Sequence, residues 1–480
     1  MNLTLPELLL TLVLIGLALW RSKAALFLLW PIAILVFPTA RLMVGFPLYV
    51  YDVIAVAILV SYHRQILGIR WSAAAVPWHY VFGALILVCG LLWPIVIYSL
   101  IPEIVWVSGH AMISFMTFAI GAAVVYRGLD RERRFLGYGI AASLIAVGLI
   151  GLIQFGSYDM SRAVTRFFYR DYAADAFVMS DFYAQITASR AAGPYGSANG
   201  LGIVGVLAGL MALILVRNKA LLTACLVAAA IAVMASVSRQ AMMAAALALM
   251  AYFALAPAGQ KSRLTLILIM AGPLLIVLFL GSDFSASIME RFGRWDSGIQ
   301  QDDNFAARYV RGPIRLFETV AAFPDIILFG TGPDLRKLYS AGAEMIDRAR
   351  GFLSIGYGLF FFQYGVIGLV AALWMHVQAW SQLRFAPPAL RGSYAAILTA
   401  IVTFYIADNT PNVSESVAML CLLPLGMLAG HALRVSQAQV RSRAGSARPR
   451  YGPAPRPVAA GARSAMSPGQ PLAAPRRDRP

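Results

Sequence analysis

GSDFSASIMERFGRWDSGIQQDDNFAARYVRGPIRLFETVAAFPDIILFGTGPDLRKLYSAGAEMIDRAR, residues 281–350, is the longest run in the first 435 residues that cannot sit in a lipid bilayer, and apolar segments hem it on both sides. It gathers the arginines, carboxylates and aromatic residues that the rest of the chain avoids. The surrounding composition explains the contrast: 60% of residues are hydrophobic, 13% are charged, and the mean hydropathy is +0.73. A soluble domain has about 45–50% apolar and about 25% charged residues, so both deviations point to an integral membrane protein. A spanning helix needs roughly 20 apolar residues, and such runs recur, whereas the ten-residue alternation of a barrel is absent. The expected fold is therefore an all-α polytopic helical bundle.

Working outward, the apolar runs predict helices near 4–20, 24–38, 46–62, 80–100, 104–126, 136–155, 200–216, 219–236, 239–256, 264–281, 353–378, 391–407 and 413–433. That is about 12–13 transmembrane helices in a membrane domain over residues 1–435. The first helix has no basic region before it and no small-residue cleavage site after it, so it reads as retained. Cys89, Cys225 and Cys421 all fall inside apolar runs, too dispersed for a metal-ligand spacing, and read as buried small side chains.

The net charge of +17 is unevenly placed, which argues against a nucleic-acid partner. From Arg434 onward the chain carries ten arginines against one acid, Asp478, in a Pro-, Ala-, Gly- and Ser-rich stretch. Residues 436–480 thus read as a disordered basic tail on the cytoplasmic side, able to touch anionic membrane lipid. Counting back from that tail, the inside connections hold Arg384 with Arg391, Lys261 with Arg263, Arg217 with Lys219, Arg127 with Arg131, Arg133 and Arg134, Arg64 with Arg70, and Arg21 with Lys23. The short outside connections hold only Arg41 and Arg239. This pattern puts the N-terminus and both long hydrophilic loops, about 156–199 and 282–351, on the outer side.

In the first loop Arg162, Arg166 and Arg170 recur every four residues, which on a helix stacks three guanidinium groups on one face. An interfacial helix whose arginines meet lipid headgroups explains them as well as a site does. Asp171, Asp175 and Asp181 follow. The loop ends in Arg190, Gly193 and Asn199 just before a helix starts, where glycine lets backbone approach a ligand. Between the loops, Ser236, Val237, Ser238 and Arg239 form a tight polar turn. An arginine in so short an outside turn needs a local partner, either a carboxylate of the protein or a ligand phosphate.

In the second loop Arg308, Arg311 and Arg315 lie at i, i+3 and i+7, on one face of an expected helix that Pro313 should kink. Pro324 and the turn Gly330, Thr331, Gly332, Pro333 and Asp334 follow. Asp52, Glu103 and Asp408 sit near membrane depth toward the outer side, where ionisable groups are functional candidates unless an arginine pairs with them.

The order Arg190-x-x-Gly193 with Asn199, then Ser238-Arg239, then a large outer loop with Arg308, then FPDIILFGTGPD, then FFQYGVIGLVAAL resembles the O-antigen ligase and polysaccharide polymerase family of bacterial membrane glycosyltransferases. The likeness runs from about Asn2 to Val435, with its specific part over 190–370, and FPLYVYDVIAVAILV with Asp52 is similar to the family's early helix. The resemblance implies a membrane glycosyltransferase fold of the GT-C-like type in the bacterial inner membrane. It implies action on glycans carried by undecaprenyl diphosphate at the periplasmic face, with no metal ion and no cofactor. Ligases move the finished glycan to lipid A-core; polymerases move the growing glycan onto the next lipid-linked repeat. The implied partners are that lipid-linked donor and acceptor, with chain-length regulator and flippase proteins of such a pathway. In ligases a histidine commonly opens the helix after the large loop; Ser354 holds that position here, and none of the five histidines lies in either outer loop, which favours a polymerase.

Glycosyl transfer from a lipid diphosphate needs a grip on the diphosphate, stabilisation of its charge as it leaves, and a positioned acceptor hydroxyl. Arginine suits the first two, because its planar fork binds phosphate oxygens bidentately and stays charged. Arg190, Arg239 and Arg308 are expected to converge on the diphosphate, with Arg311, Arg315, Gly193, Asn199 and Ser238 beside them. Glu318 and Asp334 are the candidates for a general base, and a surface role suits each as well. Phe167, Phe168, Tyr169, Tyr172 and Tyr183 could stack on sugars or anchor the loop at the interface. The rival from another class is a lipid-linked oligosaccharide flippase, which would show internal repeats, broken helices and midplane polar residues. No duplication is evident between the halves, and Pro94 and Pro273 are isolated.

Overall fold

The computed structural model describes residues 5–43, 47–69, 116–156, 158–168, 190–262, 264–265, 326–330, 356–407 and 415–446, with residues 3, 92 and 113 singly. Arg308, Arg311, Arg315, Glu318 and Asp334 lie outside the described residues, as do Arg170, Asp171, Asp175, Asp181, Glu103, Asp408 and the chain beyond residue 446.

In chain order the elements are α1 (Leu5–Arg21), α2 (Leu26–Val36), β1 (Arg41–Met43), β2 (Pro47–Tyr49), α3 (Val50–Ser61), α4 (Met116–Tyr126), α5 (Asp130–Gly156), α6 (Tyr158–Phe168), α7 (Ala198–Leu215), α8 (Lys219–Ser236), α9 (Arg239–Leu255), α10 (Gly356–Gln382), α11 (Pro388–Ala407) and α12 (Glu415–Ser446). A single turn of helix, Ile326–Phe329, precedes α10. Among the described residues, six segments are long and apolar enough to cross a membrane: Asp130–Gly156, Ala198–Leu215, Lys219–Ser236, Gly356–Phe385, Pro388–Ala407 and Ser416–Gln439. The protein is thus a helical polytopic membrane protein.

Three features depart from the sequence expectation. The helix expected from residue 46 begins at Val50, because Pro47–Tyr49 is a strand that pairs antiparallel with Arg41–Met43, Arg41 opposite Tyr49 and Leu42 opposite Leu48. The last helix continues to Ser446, into the stretch read as tail, since the proline that would stop it comes only at Pro449. The helix expected over 353–378 is not one rod. Gly365 breaks α10 with φ 67° and ψ −168°, and the Tyr357 hydroxyl meets His376 Nδ1 at 3.0 Å. Nineteen residues of straight helix would separate those groups by about 28 Å, so the two halves of α10 fold back on each other.

The core is built around α7, which contacts α5, α8, α9 and α11 and carries no charged residue. Its glycines set the spacing. A Cβ at Gly202 would lie 2.7 Å from Ser236 Oγ, one at Gly205 3.0 Å from Ala232 Cβ, and one at Gly209 2.8 Å from Ala229 Cβ. The register runs antiparallel down α8, and close backbone approach through small residues is how helices associate where lipid supplies no hydrophobic drive. On the far side α9 lies along α11, with Gly392 against Ala256.

Connections that the basic-residue pattern groups on one side meet one another. Arg127 Nε donates to Gln65 O at 3.2 Å, Arg133 Nη2 to Ile214 O at 3.1 Å, and Gln260 Nε2 to Ala389 O at 2.7 Å. The opposite ends gather likewise: Tyr195 donates to Leu35 O at 2.6 Å, Thr39 to Phe168 O at 2.9 Å, and Gln240 Nε2 to Ala407 O at 2.8 Å. Residues 1–436 form one compact unit, and residues 437–480 a second.

Candidate functional site: a polar node where two helices begin

At the second of these ends the chain leaves α8, turns within two residues and enters α9. Ser236 ends α8, Val237 takes φ 47° and ψ 37°, and Ser238 caps α9 by accepting from the Ala241 amide at 3.4 Å. A β-branched residue in the left-handed region is a true outlier, so the surroundings must hold it there. The Ser238 amide donates to Ser236 Oγ at 3.2 Å, and the Ser236 hydroxyl donates to Val233 O at 2.6 Å. Val237 and both serines are buried.

The segment entering α7 docks on this turn. The Ala191 amide donates to Ala235 O at 2.9 Å, and Arg190 Nε donates to Ser236 O at 3.0 Å. Arg190 Nη2 donates to Asn199 Oδ1 at 3.2 Å, and the same oxygen accepts from Ser238 Oγ at 3.1 Å. Ser197 caps α7 by accepting from the Gly200 amide at 3.0 Å. Asn199 therefore joins two other sequence-predicted residues, Arg190 nine positions before it and Ser238 39 positions after it, in one node.

The electrostatics of this node favour an anion. The N-termini of α7 and α9 both lie here, and each presents the positive end of a helix dipole. Arg190 and Arg239 add formal charge, the latter as the first residue of α9 and half-buried. Two of the acceptors that grip Arg190, a backbone carbonyl and a carboxamide oxygen, are neutral. Arg190 also lies at the C-terminal end of α8, where a cation is stabilising, so it has a structural task whatever else it does.

Gly193 is part of this assembly, with its backbone facing protein. It has φ 62°, its amide donates to Gln154 Oε1 at 2.7 Å, and a Cβ there would sit 2.9 Å from Leu201 Cδ1. The arginine-bearing helix expected in the first loop is α6. Its Ser161, Thr165 and Phe168 are buried, Arg162 is half-buried, and Arg166, Met160 and Phe167 are exposed, an arrangement suited to a membrane interface. Asp52 is buried and lines a cavity about the size of one water molecule with Trp30, Ile34, Tyr51, Ala55, Ile113 and Thr117.

Sequence reasoning missed two polar features. One is Gln154, a lone carboxamide near the end of an apolar run. The other is the pair Tyr357 and His376, which the fold-back of α10 assembles beside the Tyr405 ring, 5.1 Å from the imidazole. Tyr405 stands two residues before Ala407, whose carbonyl holds Gln240 next to Arg239, so this pair is linked to the node through α11. Among the described residues no group of His, Cys, Asp and Glu is placed to hold a metal ion. No model of a protein family matches this chain, and no curated protein does either.

Proposed function

We propose that this protein is a membrane glycosyltransferase of cell-surface polysaccharide synthesis, a polymerase that transfers an undecaprenyl-diphosphate-linked glycan onto a lipid-linked repeat at the periplasmic face of the inner membrane. The observation that carries this reading is the joining of Arg190, Asn199 and Ser238 where two helices begin. An electropositive, membrane-embedded node of that kind suits a diphosphate.

In the reaction the acceptor hydroxyl oxygen forms the new bond to the anomeric carbon while the bond from that carbon to the diphosphate oxygen breaks. The lipid diphosphate departs with the electron pair, and the acceptor proton passes to a base, for which Glu318 and Asp334 are the candidates. Arg190 and Arg239, joined by Arg308 with Arg311 and Arg315 next in line, stabilise the departing charge. Removing one such donor typically costs about 2.7–4 kcal/mol of transition-state stabilisation. The fixed positive groups make no call on a metal ion. The strained Val237 beside Arg239 is consistent with a functional turn.

Deletion of the gene followed by gel analysis of the cell's glycan tests the reading. A polymerase leaves a single repeat and no length ladder. A ligase, the closest alternative, leaves lipid A-core bare and long lipid-linked chains accumulating. Arg239→Ala and Arg308→Ala should each remove the ladder at normal protein level, and Arg190→Ala, whose lost clamp lowers stability, should remove it when compared at matched protein level; normal product from all three ends the proposal. The flippase reading draws support from one observation, the broken helix at Gly365. Transport of labelled lipid-linked sugar into vesicles without a longer glycan would favour it.

A further inference from the structure

Gln154 poses a question that the node itself does not answer. It lies on α5 one turn beyond Gly151, at which a Cβ would contact Leu201 and Ala235, and it is 5% exposed. Its carboxamide orientation is fixed, because Oε1 accepts from the Gly193 amide at 2.7 Å, and the flipped arrangement would set donor against donor. The amide nitrogen Nε2 is left buried with no hydrogen-bond partner among the described residues. A donor stranded in so apolar a setting is costly, and such a group calls for an acceptor supplied by a ligand or an ordered water. Gly193 lies three residues beyond Arg190, in the segment that docks on the α8–α9 turn. Gln154 thereby bonds the segment that runs from Arg190 to the N-terminus of α7, the same segment that docks on the α8–α9 turn.

We propose that Gln154 is a ligand-binding residue of this site, its Nε2 donating to a phosphate oxygen of a lipid-linked diphosphate. The proposal deepens the functional reading and rests on it. Gln154 would hold the diphosphate from the α5 side while Arg190 and Arg239 hold it from the α8–α9 turn. It bears no charge, so its share is orientation, fixing which phosphate oxygen faces the arginines.

The test uses the full chain in phosphatidylcholine nanodiscs titrated with undecaprenyl diphosphate, and then the same titration in discs containing phosphatidylglycerol. Gln154→Glu keeps the acceptor for Gly193 but replaces the donor with an oxygen; Gln154→Met removes both. Both variants should bind the lipid diphosphate about tenfold or more weakly than the wild type, because a hydrogen bond to a charged group is lost. Both variants should still unfold cooperatively without ligand, and affinity is compared only for protein that is folded at the titration temperature, which separates lost binding from lost folding. Unchanged affinity in a folded Gln154→Glu protein overturns the role of Gln154 and leaves the function standing. No binding by the wild type overturns the functional reading itself. If phosphatidylglycerol competes at equal concentration, the acceptor is a bulk lipid headgroup and the assignment to a diphosphate fails.

Discussion

Two reversals of the chain, the α8–α9 turn at Val237 and the break of α10 at Gly365, reach positive φ in opposite ways. At Val237 a residue ill-suited to the left-handed region is held by a web of bonds among Ser236, Ser238, Asn199 and Arg190. At Gly365 the backbone sits where essentially only glycine goes, and no web is needed. Contact replaces it: a Cβ at Gly365 would overlap Leu328 O and Phe329 N, and one at Gly330 would lie 2.5 Å from Gln363 C and Tyr364 N. The first reversal is enforced by polar bonds, the second by the absence of a side chain. Mutations should therefore separate them.

The largest effect is expected at Gly365→Ala. The methyl group meets backbone that has no rotamer to give, and φ 67° with ψ −168° is strained for any Cβ. A cost above about 3 kcal/mol follows, read as loss of monodisperse protein after detergent extraction. Full yield with an unchanged thermal midpoint would mean that residues 353–378 form the continuous helix the sequence suggests. Arg190→Ala comes next. It leaves the Ser236 carbonyl and Asn199 Oδ1 each short of a charged donor, at about 2–4 kcal/mol in all, and Arg190→Lys should restore only part, because an ammonium cannot span both acceptors. Thermal unfolding of the two variants decides it. Equal midpoints for Arg190→Ala and wild type would show that the clamp contributes nothing to the fold.

Ser238→Ala tests the same turn with a smaller change. It removes the cap of α9 and the bond to Asn199 Oδ1, worth about 1 kcal/mol as a cap, whereas Ser238→Thr keeps the hydroxyl. A thermal shift for Ser238→Ala as large as that for Arg190→Ala would move the centre of the node from the guanidinium to the serine.

The contrast also explains what could be read in advance. Arg190, Asn199 and Ser238 were legible because polar residues beside apolar runs have few places to go, and sidedness put them at one end. Their mutual bonds were not legible, since they join segments 39 residues apart and depend on how closely the α7 glycines let α8 approach. The Gly365 break was hidden for a different reason. Glycine inside an apolar run reads as a tolerated helix residue, and only the docking of Leu328 and Phe329 against it reveals the bend. Gln154 was silent because one carboxamide in a long apolar stretch carries no periodic signal.

The smallest effect, and the most telling about function, is expected at Val237→Gly. Releasing a β-branched residue from the left-handed region returns roughly 1–2 kcal/mol. Against this stand the lost packing of a side chain that is 1% exposed and the greater freedom of glycine in the unfolded chain, the latter about 0.5–1 kcal/mol. Because lipid is as apolar as the protein interior, the packing loss is smaller than the aqueous transfer value, and the terms nearly cancel. The thermal midpoint should move little in either direction. Transfer activity is the sharper reading: if the strain serves to aim Arg239, the variant keeps its stability and loses product. A variant with unchanged stability and an unchanged ladder would reduce Val237 to a residue that the surrounding bonds merely tolerate.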